Sequence, residues 1–247
     1  MKRTLALFSS LALMCPQLLK CQDTVRQQAS TFDLEQWRQR QVAIAEASRV
    51  ARNKDRERDE RALADLERQV GRIGLARRDW MTAIRASIPF DRFANVSEQE
   101  SYERMHPDTL ATDHNQRRDR LAENASSAIQ LDAARRTGEL DQVFAALQSR
   151  SRTAERLQFV ADSVAQDAKE VATWAQDRRA NLLKENRPDA PAELKSRLRV
   201  GIEYFGRLVS YARAIVEFES RQVDLLRAEQ ASLLQEMSAA SGLRGRR

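Results

Sequence analysis

The stretch that decides the fold is LRVGIEYFGRLVSYARAIVEFESRQVDLL, residues 198 to 226. Apolar residues recur in it at alternating spacings of four and three, which places them on one side of an α-helix. The same spacing continues to Met237, so the pattern predicts one long helix over residues 191–240. Its seam consists of Leu198, Ile202, Phe205, Val209, Ala212, Val216, Glu219, Val223, Leu226, Gln230, Leu233 and Met237.

A second long helix is predicted immediately upstream, over residues 139–186. The NRPDAP turn, residues 186–191, ends it, and we expect Asp189 to cap the next helix and Pro191 to lie in its first turn. Large seam residues alternate with alanine, which lets a neighbouring helix approach closely. The seam consists of Val143, Leu147, Arg150, Ala154, Leu157, Ala161, Val164, Ala168, Val171, Ala175, Arg178 and Leu182.

Two arrangements could bury these seams. An isolated coiled coil with this choice of residues favours two parallel strands. However, Leu208 and Ile215 add a flanking apolar row, and the short turn brings the two helices together antiparallel, so an intrachain bundle is favoured. A homo-oligomer is the alternative. The predicted bundle core contains Val143, Leu147, Leu157, Val164, Val171, Leu198, Ile202, Phe205, Val209, Val216, Val223, Leu226 and Leu233.

The first half of the chain predicts another long helix, at about residues 31–87, which contains no proline before Pro89. Its middle is RNKDRERDER, residues 52–61, with five positive and four negative side chains and nothing apolar. Without an apolar stripe this part is expected to bury no face. It is either an exposed helix that bridges two packed ends, which we favour, or a hinge. Its charges form either a solvated face or a docking strip for a partner.

Residues 89–137 form a predicted insert. Residues 89–112 lose the helical periodicity and read as an irregular connection, either folded back on the bundle or exposed as a binding tip. A short helix follows, and Gly138 is its expected stop. Its predicted inner side holds Leu121, Ala125, Ala128, Ile129 and Leu131 or Asp132. Residues 22–247 are therefore expected to form one elongated, all-α antiparallel bundle with a smaller helical and loop insert.

The N-terminus is typical of a secretory signal peptide over residues 1–21, because Lys2 and Arg3 precede a ten-residue run of apolar and hydroxyl residues. A bilayer span needs about 20 apolar residues, so no stable span is expected in the mature chain. Cleavage after Cys21 removes both cysteines and predicts a protein in the periplasm or at the cell surface. A lipoprotein and an uncleaved amphipathic segment are the alternatives.

The charge balance argues against nucleic-acid binding. Removing Lys2, Arg3 and Lys20 with the signal peptide leaves 39 basic against 36 acidic residues. Most arginines lie within a few residues of an acid, whereas nucleic-acid binding requires clustered positive charge that displaces counterions.

No pattern in the sequence points to a reaction, so the chain is not expected to be an enzyme. We predict no catalytic, cofactor-binding or metal site, because His106 and His114 lack the convergent partners that zinc requires. Carboxylate pairs such as Asp59 and Glu60 lie among other charges, where nothing is expected to raise a pKa. The polar seam residues are interpreted as register devices or as side chains that reach solvent. They are Arg150, Arg178, Glu219 and Gln230.

Two segments carry a resemblance to a known family: ELDQVFAALQSRSRTAERLQFVADS at 139–163 and ARAIVEFESRQVDLLRAEQASLLQEM at 212–237. They resemble the minor pilin, or pilus-tip, proteins of type IV secretion and conjugal transfer systems, the TrbJ-like group. The resemblance implies an exported helical protein needed for pilus assembly, with other secretion, pilus or envelope proteins as partners. The first helix departs from the family because it is rich in arginine and glutamate instead of glutamine. A periplasmic holdase-type chaperone or an envelope coiled-coil scaffold is the alternative.

Overall fold

The computed structural model describes residues 16–85, 110 and 113–245, with the side chains of 34–83, 110 and 113–245. In this part of the chain all regular secondary structure is helical. The helices are α1 (Pro16–Arg85), α2 (His114–Thr137), α3 (Leu140–Glu185) and α4 (Ala192–Arg244). The prediction of an all-α helical bundle is confirmed.

The helices form an up-down-up-down bundle in which each helix is antiparallel to its two neighbours. α1 lies between α2 and α4, and α3 lies between the same two helices on the opposite corner. Leu157 packs on Leu226, and Arg213 Nη2 donates to Gln176 Oε1 at 2.8 Å, so α3 and α4 are an antiparallel pair. The predicted intrachain pairing of these two helices is confirmed.

The four helices differ in length, which divides the bundle into two halves. At 1.5 Å per residue, α4 is about 80 Å long and α3 about 70 Å, whereas α2 is about 36 Å. The bundle therefore has four helices around α2 and three helices beyond it, towards the turn between α3 and α4.

The helix bounds agree closely with the prediction except at one end. α1 is helical from Pro16, the first described residue, and so already includes residues upstream of the predicted start near residue 31. Residues 17–31 contain no glycine or proline that would stop a helix. The predicted insert, apart from Leu110 and α2, lies outside the described residues, and so do residues 1–15 of the predicted signal peptide.

The helix ends confirm one expected stop and correct one expected cap. Gly138 ends α2 in the left-handed conformation at φ 67°, as predicted, and its N–H bonds to the Arg135 carbonyl. Asp189 makes no capping bond to α4, which begins after Pro191. The backbone carbonyl of Pro191 instead accepts the first helical bond, from Lys195 N at 2.9 Å.

Two apolar clusters fill the ends of the bundle. The turn-end cluster lies beside the α3–α4 turn, where Phe205 meets Trp80 and Trp174 edge to face at 6.0 and 5.6 Å between ring centroids. The chain-end cluster is smaller and lies at the opposite end of α4. It contains Trp37, Leu131, Leu140, Val143, Leu147, Leu233 and Ala240. Among the described residues the core is thus concentrated at the two ends, and a small cluster of Ala154, Leu157 and Leu226 lies between them.

Of the thirteen predicted core residues, the structure buries all except Val164, Ile202 and Val216, which are half-buried. α4 packs against α1 as well as α3, which turns its buried face towards Leu208 and Ile215 and leaves two seam residues at the edge. The ten buried residues are Val143, Leu147, Leu157, Val171, Leu198, Phe205, Val209, Val223, Leu226 and Leu233.

The inner side of α2 differs from the prediction at one position. Ile129, expected to face inward, is 61% exposed, whereas Ala128 and Leu131 are buried. Ile129 is one residue from Ala128 and is therefore turned away from the buried stripe by about 100°.

Close packing at Gly201 gives a first prediction. A Cβ there would lie 2.6 Å from Trp80 Cζ3 and 2.8 Å from Leu182 Cδ1. We expect Gly201→Ala to lower the free energy of unfolding in urea, because overpacking costs about 1–3 kcal/mol and outweighs a helix-propensity gain of about 1 kcal/mol. In the control Gly71→Ala nothing lies within 4 Å of the new Cβ, so stability should rise. Equal effects of the two changes would contradict this account.

Candidate functional site: a cavity under the charged segment of α1

Residues 52–61, called here the charged segment, are helical throughout, which confirms a helix over a hinge. The expectation that the segment buries no face is wrong. Asp59 is only 7% exposed, and Arg52 and Asp55 are half-buried. These positions, spaced by three and four, face the bundle and meet polar partners instead of apolar ones.

The partners of the two inward carboxylates lie on α4. Arg221 donates from Nη1 to Asp59 Oδ1 at 2.9 Å and from Nη2 to Asp55 Oδ1 at 3.2 Å. Gln222 Nε2 adds a bond to Asp59 Oδ1 at 3.0 Å. The middle of α1 is therefore held to α4 by hydrogen bonds and ion pairs.

Burial raises the pKa of the Asp59 carboxyl, and the charge of Arg221 only partly opposes this effect. The expectation that nothing raises a pKa in the charged segment is therefore wrong. The sequence shows the charges that neighbour Asp59 along α1. The loss of solvent around its carboxyl comes from packing against α4, which the local sequence does not show.

The raised pKa of Asp59 gives a second prediction. Between this folded-state pKa and the ordinary value of 3.8, the folded state binds more protons than the unfolded state. Lowering the pH from about 7 to about 4 should therefore stabilise the wild type relative to Asp59→Asn, whose amide does not titrate. Urea unfolding of both proteins across this range measures the difference. The prediction would be contradicted if the free energy of unfolding of the wild type minus that of Asp59→Asn stayed constant or fell as the pH was lowered.

A second polar group joins α2, α3 and α4. Arg150 on α3, with its side chain 3% exposed, donates from Nε to Glu229 Oε1 at 2.8 Å. Its remaining nitrogens bond to Asn124 Oδ1 at 2.7 Å and Ser127 Oγ at 2.6 Å. Arg150 therefore links α3 to α2 and α4 and does not reach solvent, and its role in setting the helix register stays a prediction.

A third group surrounds Arg135 at the end of α2. Its Nη2 donates to both carboxylate oxygens of Glu236 at 2.8 Å. Asp132, 3% exposed, accepts hydrogen bonds from Arg135 and from Arg52 of the charged segment. This group therefore links α1, α2 and α4.

The most deeply buried ion pairs surround Glu219 on α4, whose side chain is 1% exposed. Arg117 Nε donates to Glu219 Oε1 at 3.1 Å, and Arg120 Nη2 donates to the same oxygen at 2.5 Å. Burial raises the pKa of Glu219, and both arginines oppose the rise. Arg117 also donates to the Leu110 carbonyl, which accepts a second bond from the Tyr211 hydroxyl. These bonds link α2, and Leu110 just before it, to α4, the helix diagonally opposite α2 in the bundle.

A cavity of about 730 Å³ lies beneath the charged segment, between the two apolar ends. Its roof is residues 48–64 of α1 and its floor comes from α2 and α4, with Arg150 of α3 at one side. The apolar lining residues are Ala51, Leu63, Ala64, Leu121, Ala122, Ala125, Ala128, Leu131, Leu225 and Leu226. The charged ones are Arg52, Asp55, Arg56, Asp59, Glu60, Arg118, Arg135, Arg150 and Glu229.

The described residues show no cluster of metal ligands. Over residues 16–85, 110 and 113–245, no three His, Cys, Asp or Glu side chains converge as a metal ion requires. His114 is buried with Nε2 3.7 Å from Glu67 Oε2, and burial lowers its pKa. His106 lies outside the described residues. In the same part of the chain, no helix contains a stretch long and apolar enough to cross a membrane.

The chain matches no protein-family model, and no curated protein and no solved structure matches it significantly.

Sequence reasoning found Arg150 and Glu219 as polar seam residues, but it missed Arg117 and Arg135. Both are buried on the same side of α2 as the apolar residue Leu131. The available signal was their spacing, since positions 117, 121, 128, 131 and 135 follow one helical stripe regardless of polarity. The cavity had no such signal, because its walls come from four separate helices.

Proposed function

We propose that this chain is an exported structural or assembly component of a type IV secretion or conjugal transfer apparatus and that it acts through protein–protein contacts. The observation that carries the proposal is the placement of the two segments that resemble pilus-tip proteins. Residues 139–163 lie on α3 and residues 212–237 on α4, and they pack against each other. The resemblance therefore covers one contiguous antiparallel pair instead of two unrelated helices.

Exposed apolar side chains on the same two segments support action by contact. Phe159 on α3 is 75% exposed, and Leu234 on α4 is 59% exposed. Neither side chain belongs to an apolar core cluster. They offer contact points to another protein, where aromatic residues often contribute strongly to binding.

Two measurements on cells test the proposal. N-terminal sequencing of protein from the envelope fraction should give a chain that begins at Gln22. A photo-reactive amino acid at position 159 should cross-link to another envelope protein, whereas the same group at the exposed Asp177 position, about 27 Å away along α3, should do so less. Recovery of a cytoplasmic protein with residues 1–21 intact would refute the proposal.

A periplasmic chaperone or coiled-coil scaffold is the second candidate. Isolated exposed apolar residues along α1, such as Val50 and Leu75, would suit weak contacts with unfolded chains. Suppression of aggregation of an unfolded envelope protein by the purified chain, together with a cage-like oligomer, would favour it. The secretion proposal expects neither result.

A further inference from the structure

The shape of the cavity under α1 limits what can enter it. Its roof runs from residue 48 to residue 64 of α1, about 24 Å at 1.5 Å per residue. The cavity holds about 730 Å³ and is elongated along α1. An elongated space of this length suits a single extended hydrocarbon chain.

The charged groups of the lining are already occupied. Each of the nine charged lining residues has an ion-pair partner in the structure. Apart from Arg56 and Arg118, which are largely exposed, these residues are mostly buried or half-buried, and an ionic or sugar-like group in the interior would have to displace their partners and would gain little. The interior of the cavity therefore favours a group that needs no polar partner, such as hydrocarbon.

The space itself exists because α2 presents alanine to the cavity. Ala122, Ala125 and Ala128 are spaced by three along α2 and line the cavity below α1. Leu121, Leu131 and Leu226 complete an apolar floor. Filling this space with hydrocarbon would remove apolar surface from water, which is favourable in proportion to the area buried.

We propose that this cavity binds the alkyl chain of an amphiphile with an anionic head group, independently of the secretion role proposed above. The chain lies on the apolar floor beneath the charged segment. The head group stays at the mouth, where Arg56 and Arg118 line the cavity and keep 74% and 60% of their side chains exposed. Their pairs with Glu60 and Glu67 are solvent-exposed and weak, so an anionic head group can compete for the arginines. A fatty acid and an anionic lysophospholipid share this chemistry.

Titration of the full-length purified chain with dansyl-undecanoic acid, a fluorescent fatty acid, tests the proposal. We expect a saturable rise in fluorescence with one site per chain. Displacement by dodecanoate or by lauroyl-lysophosphatidylglycerol supports the proposal and identifies the preferred head group. Absence of saturable binding, or a signal that neither competitor displaces, would overturn it.

Variants that fill the cavity locate the binding site. Ala125→Phe and Ala128→Leu place larger side chains in the cavity and should each weaken dansyl-undecanoate binding at least ten-fold. Ala133→Leu, on the exposed side of the same helix, is the matched control and should bind as the wild type does. Far-ultraviolet circular dichroism checks that each variant keeps its helix content. Wild-type binding by both folded cavity variants would overturn the proposal.

Discussion

Glu219→Ala is expected to lower the free energy of unfolding by about 3–5 kcal/mol, because it leaves a buried arginine without its counter-charge. The Arg117 side chain is fully buried and donates to Glu219, so it cannot reach water once the carboxylate is removed. The loss should appear as a lower urea midpoint with an unchanged dependence on urea concentration.

Two further variants separate the buried charge from a general effect of alanine. Glu203→Ala removes an exposed carboxylate that pairs with Arg207 on the same helix and should change stability by less than about 1 kcal/mol. The double variant Arg117→Met, Glu219→Leu replaces the pair by apolar side chains and should recover more than half of the loss. A loss below about 1 kcal/mol in Glu219→Ala would contradict the buried pair.

Trp80→Ala should cost a similar amount, about 3–5 kcal/mol, through a different mechanism. Trp80 is 8% exposed and packs edge to face on Phe205, so it forms an apolar link between the end of α1 and α4. Truncation removes that contact and leaves a cavity beside Gly201. Urea unfolding measures the total loss, and hydrogen exchange should show reduced protection in α1 before the α3–α4 pair is affected.

Leu75→Ala is the matched control for Trp80, since Leu75 lies on the same helix and is 55% exposed. Its effect should stay within about 0.5 kcal/mol. If both variants lost the same stability, the turn-end cluster would not be the anchor of α1.

The long helices α3 and α4 could be predicted because the apolar spacing that specifies each helix lies within that helix. Large residues such as Leu147 and Leu226 recur at spacings of three and four over dozens of residues, and one short turn fixes their antiparallel pairing. The breadth of the buried face of α4 was also visible in Leu208 and Ile215. The spacing did not show which helix packs against this wide face, because that helix, α1, lies more than 100 residues before it in the sequence.

The charged segment has a buried face that its local sequence pattern did not predict. Its lack of apolar residues correctly excluded an apolar contact, but its inward face is polar and therefore invisible to a hydrophobic pattern. The partners of Arg52 and Asp59 are Asp132 and Arg221, which are separated from them by 80 and 162 positions. Burial and the raised pKa of Asp59 follow from those distant partners, and so does the cavity beneath the segment.

The measurement that tests the central claim most directly is the frequency of conjugal transfer, or of substrate secretion, from cells that lack this chain. We expect a loss of at least about 100-fold, restored by the full-length gene but not by residues 22–247 expressed without the predicted signal peptide. The Ala133→Leu variant should also restore transfer, as a check that changing an exposed residue has no effect. Transfer at the wild-type frequency without the chain would contradict the proposed function.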